Sequence, residues 1–337
     1  MLRLLAAAGL GSALACRSQP IPEAERFPAG TPLTARYVTI DSTRMRYVDT
    51  GRGPVVVLIH GLAASMYSWR HTILPVARAG FRVIAFDNRG FGFSDKPARG
   101  YDNKAYVHLL FGVLDSLGVS DAVLVGHSMG GAIAVEAALA RPGRVRGLVL
   151  VDAAGLTVRW PFMLRVAHWP IVGVLFDRLR GRAATAGILR SLYGVPSRVT
   201  AEEVDQYYAA IAEPGFGRCL RGVLGQFRFD ALTDRLGEVA TPTLVTWGTE
   251  DRLIPVAVGQ SMADRIPGAL LVRFPGAGHA VPEEAPQEFN QALIGFLQHG
   301  LSAPPGDVGD NPGRLHALAP YFINQMVEDL WHATQAQ

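Results

Sequence analysis

In Gly126-His127-Ser128-Met129-Gly130 a serine stands between two glycines, each two residues away. A serine hydroxyl is a weak nucleophile at neutral pH and attacks a carbonyl only with a base in hydrogen-bond reach. The pentapeptide follows an apolar run, Ala122–Val125, and opens a helical stretch, Met129–Ala140. On so tight a strand-to-helix turn the serine is forced outward, and the flanking glycines remove side chains that would collide with strand and helix. The helix start behind Ser128 also favours developing negative charge. The bland alternative is a glycine-rich turn with a capping serine.

The base should lie late in the chain, after the last strand. Gly276-Ala277-Gly278-His279 stands there, with glycines that let the loop curl back. Of the other histidines, His127 adjoins the serine, and its ring is expected to point away on this turn. His60 precedes the glycine of another loop, while His299, His316 and His332 fall in the last helix or the tail. His279 is the candidate base. A carboxylate must hold its tautomer and stabilise the imidazolium. Asp251, in Trp247-Gly248-Thr249-Glu250-Asp251-Arg252, is preferred. Glu250 would more naturally face solvent or pair with Arg252, and Asp152 is the third candidate. Backbone N–H groups should stabilise an oxyanion. Met129, directly after Ser128, and Leu62, in His60-Gly61-Leu62, are the expected donors.

These residues need one scaffold. Short apolar runs recur at Val55–Ile59, Arg82–Phe86, Ala122–Val125, Leu148–Val151, Leu244–Trp247 and Leu270–Phe274, each the pattern of a strand buried on both faces. Ala35–Ile40 and Met45–Asp49 read as a hairpin. Helical stretches at Ser68–Ala79, Asn103–Leu117, Met129–Ala140, Val256–Ile266 and Pro286–Leu297 alternate with the strands. The expected fold is α/β, a mostly parallel doubly wound sheet. From about Leu156 to Leu236 no buried-strand run occurs, which implies an inserted helical cap. The core is expected at 35–155 and 237–300, the cap at 156–236 and a tail of unassigned role at 301–337.

Four stretches now carry a resemblance: HGLAASMYSW at 60–69, DNRGFGFSDKP at 87–97, GHSMGG at 126–131, and WGTEDRLIP with GAGHAVPEEAP towards the end. Residues 35 to 300 resemble the α/β-hydrolase superfamily with a helical cap. The Ser, Asp, His order is the one this fold uses. The resemblance implies that Asp87–Pro97 is a structural and rim segment, with Arg89 pairing internally. Epoxide hydrolases and haloalkane dehalogenases of the superfamily carry aspartate where Ser128 stands, which disfavours their chemistries. The expected activity is cleavage of a small apolar carboxylic ester through an acyl-enzyme, with no cofactor and no metal. One alternative is a carbon–carbon bond hydrolase of ring-fission products using the same residues; the other is a non-catalytic ligand-binding protein on this fold.

Composition bounds the rest. With 337 residues, 49% hydrophobic and 18% charged, the chain can bury a full core. A net charge of +3 gives no general nucleic-acid footprint. Arg3 followed by an apolar run from Leu4 to Ala15 reads as a signal peptide over residues 1–15, since about a dozen apolar residues suit an export signal and a membrane span needs roughly 20. Cys16 directly follows Ala13-Leu14-Ala15, as in a lipoprotein signal in which the cysteine is lipidated. The expectation is export to the cell envelope, with membrane association through Cys16. A Pro-rich stretch within 16–34 reads as an extended tether. Arg165, Arg178, Arg180, Arg182 and Arg190, with Trp160 and Trp169, suit either an anionic membrane surface or a plain solvated face. Cys219, the only other cysteine, is expected to be buried and unpaired.

Overall fold

A computed structural model describes residues 21–157 and 181–302. The expected signal, Cys16, the Trp160–Trp169 segment with Arg165, Arg178 and Arg180, and the tail beyond residue 302 lie outside them.

The hydrophobic runs become one sheet of eight strands: β1 Arg36–Ile40, β2 Thr43–Gly51, β3 Val55–Ile59, β4 Arg82–Phe86, β5 Ala122–His127, β6 Val145–Val151, β7 Thr243–Gly248 and β8 Leu270–Phe274. Their order across the sheet is β1-β2-β4-β3-β5-β6-β7-β8. Only β2 runs against the rest; β4, β3, β5, β6, β7 and β8 are mutually parallel. Alternate residues feed two cores, as the period of a strand requires. Val57, Ile59, Leu124, Leu148 and Leu150 face one side with helices α2 (Asn103–Ser116), α3 (Met129–Ala140) and α7 (Val256–Arg265). Val56, Leu58, Val123, Val125 and Val149 face the other with α1 (Ile73–Arg78) and α9 (Pro286–His299). The sheet is doubly wound.

Between β6 and β7 the described residues carry helices and no sheet strand: α4 Arg182–Leu192, α5 Ala201–Ala212 and α6 Phe216–Gln226. α5 begins with a capping box, in which Thr200 Oγ1 accepts the Glu203 N–H at 3.2 Å and Glu203 returns a carboxylate to the Thr200 N–H at 2.7 Å. A four-residue helix, α8 (Val281–Glu284), precedes α9.

Two expectations are corrected. The stretch Ser68–Ala79 is not one helix but a 3-10 turn, Met66–Trp69, followed by α1. Pro75 has no N–H for the carbonyl of residue 71, so a helix can hold it only in its first turn. The Pro-rich segment is no free tether from residue 21 onward. Phe27 and Leu33 are buried, and the Phe27 ring meets Tyr67 edge-on at 5.6 Å. The Phe27 N–H donates to Gln206 Oε1 at 3.1 Å, and Arg26 pairs with Glu213 at 3.1 Å. Apolar side chains within a Pro-rich stretch are enough to dock it.

Candidate active site

Every candidate side chain stands at the carboxyl end of a strand. His60 follows β3, Asp87 and Asn88 follow β4, Ser128 follows β5, Asp152 follows β6, Asp251 lies in the loop after β7, and His279 in the loop after β8. Because these strands are parallel, their carboxyl ends share one edge of the sheet, where ligands of open α/β sheets bind.

Ser128 is the hinge between β5 and α3, with φ 52° and ψ −118°. A non-glycine residue at positive φ is strained, and the strain is held by neighbours. The Ser128 N–H donates to Val151 O at 2.9 Å, and its carbonyl accepts from Gly131 N at 2.9 Å and Ala154 N at 3.0 Å. The glycines are required by proximity. A Cβ on Gly126 would lie 2.3 Å from Gly130 O, and one on Gly130 would lie 2.2 Å from Ile59 O. Met129 opens α3, so its N–H is among those with no acceptor inside the helix.

The imidazole of His279 is oriented from behind. Its Nδ1 lies 2.7 Å from Asp251 Oδ2, and both residues are buried. Asp251 Oδ1 accepts the N–H groups of Leu253 at 2.8 Å and Ile254 at 2.9 Å. Trp247 Nε1 ties down the same loop by donating to Ile254 O at 2.9 Å. Glu250 is exposed, as expected of it. Asp152 takes a different part: its Oδ1 accepts the Gly248 N–H at 2.9 Å, and it is fully buried. Burial, then the nearby charge of Asp251, pushes its carboxyl well above the usual range.

His127 does more than point away. Its Nε2 donates to the backbone carbonyl of His279 at 2.6 Å, and the two rings lie 5.0 Å apart between centroids. Burial, reinforced by the charge of His279, pushes the His127 pKa down to about 3, so it stays a neutral donor. Sequence reasoning missed this support, and the missing signal is tertiary. His127 immediately precedes Ser128, so this bond ties the serine's turn to the His279 loop. The Gly61 loop closes on the same spot: a Cβ there would lie 3.0 Å from Ser128 Cβ and 3.2 Å from His127 Nδ1.

His60 is buried, with burial lowering its pKa. Its Nδ1 donates to Gly61 O at 2.7 Å and its Nε2 accepts the Asn88 N–H at 2.8 Å. Fixing the Gly61 carbonyl fixes the opposite side of a trans peptide, which is the Leu62 N–H. Leu62 is half-buried in this turn. The DNRGFGFSDKP loop folds round Asp87, whose oxygens accept the N–H groups of Met66 at 2.8 Å and Phe93 at 2.9 Å. Arg89 pairs internally with the Arg99 carbonyl. Cys219 is buried, with Tyr101 Oη 2.8 Å from its sulfur. Among the described residues no cluster of three or more His, Cys, Asp or Glu side chains is arranged to hold a metal ion.

Ser128 thus stands on a strained strand-to-helix turn, and its neighbour His127 bonds to the backbone carbonyl of His279, whose ring is paired with Asp251. The family model of the alpha/beta hydrolase fold matches residues 54–286, well over half of the chain. The chain belongs to the α/β-hydrolase fold family. As an α/β hydrolase it is 32% identical over 285 residues to the 2-hydroxy-6-oxononadienedioate/2-hydroxy-6-oxononatrienedioate hydrolase of Burkholderia vietnamiensis, covering 79% of this chain and 96% of that protein. Among solved structures, a meta-cleavage product hydrolase from Pseudomonas fluorescens IP01 is 28% identical with a TM-score of 0.69, covering 78% of this chain and 97% of that one. Est816, an N-acyl homoserine lactone degrading enzyme, is 31% identical with a TM-score of 0.64, covering 77% of this chain and all of its own.

Proposed function

We propose that this α/β hydrolase works through an acyl-enzyme on Ser128, with His279 as general base and Asp251 as the acid that orients it. The observation that carries the reading is the 2.7 Å contact between His279 Nδ1 and Asp251 Oδ2, which leaves Nε2 for proton transfer in a residue whose backbone carbonyl is bonded to His127, the neighbour of Ser128. His279 takes the hydroxyl proton as Ser128 Oγ bonds to the carbonyl carbon. The oxyanion is met by the N–H groups of Met129 and Leu62, a donor of this kind being worth about 3–4 kcal/mol. The bond to the leaving group breaks, and the imidazolium returns its proton to that group. Water then repeats the sequence and frees the acid and Ser128.

Two bonds can feed this acyl-enzyme. From the sequence alone the ester comes first, and Est816, named for a lactone, supports it. The relatives named for oxo-dienedioate and meta-cleavage substrates weigh towards carbon–carbon cleavage, and we place that class first as the physiological substrate. In that case the proton ends on a carbon rather than an oxygen. A ring-fission dienone assayed beside a graded series of p-nitrophenyl esters separates the two. A higher kcat/KM for the dienone is the expected result; turnover of the esters alone restores the ester reading.

A further inference from the structure

Glu284 ends α8, five residues after His279, and its buried carboxylate faces the backbone rather than solvent. Its Oε1 accepts the N–H groups of Gly278 at 2.8 Å and Ala280 at 3.3 Å, the two residues that flank His279. Its Oε2 accepts the N–H of Gly194 at 2.7 Å. Gly194 lies just beyond α4, in the helical segment between β6 and β7. That segment also reaches the histidine directly, since the His279 N–H donates to Leu192 O at 2.7 Å.

The contact is too close for side chains. A Cβ on Gly194 would lie 2.2 Å from Gly276 O, and one on Gly278 would lie 2.2 Å from Leu192 O. The two backbones therefore touch, and a single carboxylate gathers the N–H groups on both sides of the seam. Hydrogen bonds to an ionised acceptor are about twice as strong as neutral ones. Burial raises the Glu284 pKa, and the converging N–H groups oppose that rise.

We propose that Glu284 is a positioning residue for the base, coupling the seating of the helical segment to the placement of the His279 imidazole. Asp251 sets which way the ring faces, whereas the backbone bonds set where the ring stands. One oxygen of Glu284 holds the loop and the other holds the segment. The inference rests on the role proposed for His279.

Saturation kinetics of inactivation by a fluorophosphonate test it, because kinact reads attack by Ser128 and KI reads binding. A misplacement of about 1 Å at a reacting group costs about 100-fold, so Glu284→Ala should lower kinact by about that factor and leave KI unchanged. Glu284→Asp keeps the charge but draws it back by one methylene. It should lower kinact too, and it stands in if the alanine variant does not fold. Glu284→Gln retains one oxygen, which turns to the two loop amides, while its NH2 meets the Gly194 N–H donor to donor. It should recover part of kinact through the loop amides, and lose the rest, with thermal stability, through the segment; full recovery of kinact would overturn the coupling to the segment. Wild-type kinact in the Ala and Asp variants overturns the inference, as does a loss confined to KI. Ser128→Ala runs alongside. If labelling survives it, the serine reading fails whatever Glu284 does; if it abolishes labelling while Glu284→Ala reacts normally, only this inference falls.

Discussion

Asp152 and Asp251 stand at neighbouring strand ends and meet different surroundings. Asp251 receives the imidazole and two backbone N–H groups. Asp152 is fully buried, and that burial, followed by the nearby charge of Asp251, pushes its carboxyl well above the usual range. Carboxyl groups whose environments push them apart take different roles. Asp251→Asn should therefore lower kcat by about 10⁴, as losing the orienting acid does in a serine triad. Asp152→Asn should leave kcat close to wild type; steady-state assay of both variants checks the assignment, and the opposite ranking would exchange the two residues. The stability of the pair carries a sign. A carboxyl raised in the folded state contributes fully below its unfolded pKa, near 4, and that contribution fades as pH rises towards the folded value. Asparagine does not ionise. The Tm of Asp152→Asn minus that of wild type should grow as pH rises above about 4, and a difference flat with pH would mean that Asp152 is ionised in the fold.

The β5–α3 turn is where the elements set the chemistry. Gly130 packs against the carbonyl of Ile59 with no room for a methyl group. Gly130→Ala should destabilise the fold by about 3 kcal/mol in urea titration, the upper range for overpacking. Retained stability would show that β3 and α3 can part. How much of this was legible in the sequence depends on what each element needs. β3 and β5 are buried on both faces, so their apolar runs announced them, and the GHSMGG turn was read from its flanks. The break in Ser68–Ala79 was legible in principle at Pro75, which the periodicity outweighed. Glu284 was not legible. α8 spans only four residues, and its partner Gly194 stands 90 residues earlier, so only the fold brings them together. The support given by His127 was missed for the same reason, because its acceptor is a backbone carbonyl 152 residues away.

At the scale of the whole molecule, the N-terminal segment and the helices between β6 and β7 hold one another. Phe27 sits against Tyr67, its carbonyl accepts Arg46 Nη2 at 2.7 Å, and Gln206 of α5 bonds both to its N–H and to Glu25 O. Phe27→Ala should cost about 3 kcal/mol in thermal or urea unfolding, the lower range for a buried phenylalanine. A change within error would make the segment a passenger. If Cys16 carries a lipid, as the sequence leads us to propose, the protein is held at a membrane. Cys16→Ser should then move the protein from the membrane fraction to the soluble one; equal recovery of both forms in the membrane fraction would count against lipidation. The enzyme itself stands or falls on the meeting of Ser128 with His279. Mass mapping of the peptide modified by a fluorophosphonate tests that meeting most directly. We predict a single adduct on Ser128, formed far more slowly in His279→Ala. An adduct elsewhere, or one on Ser128 formed as fast without the imidazole, would contradict the account.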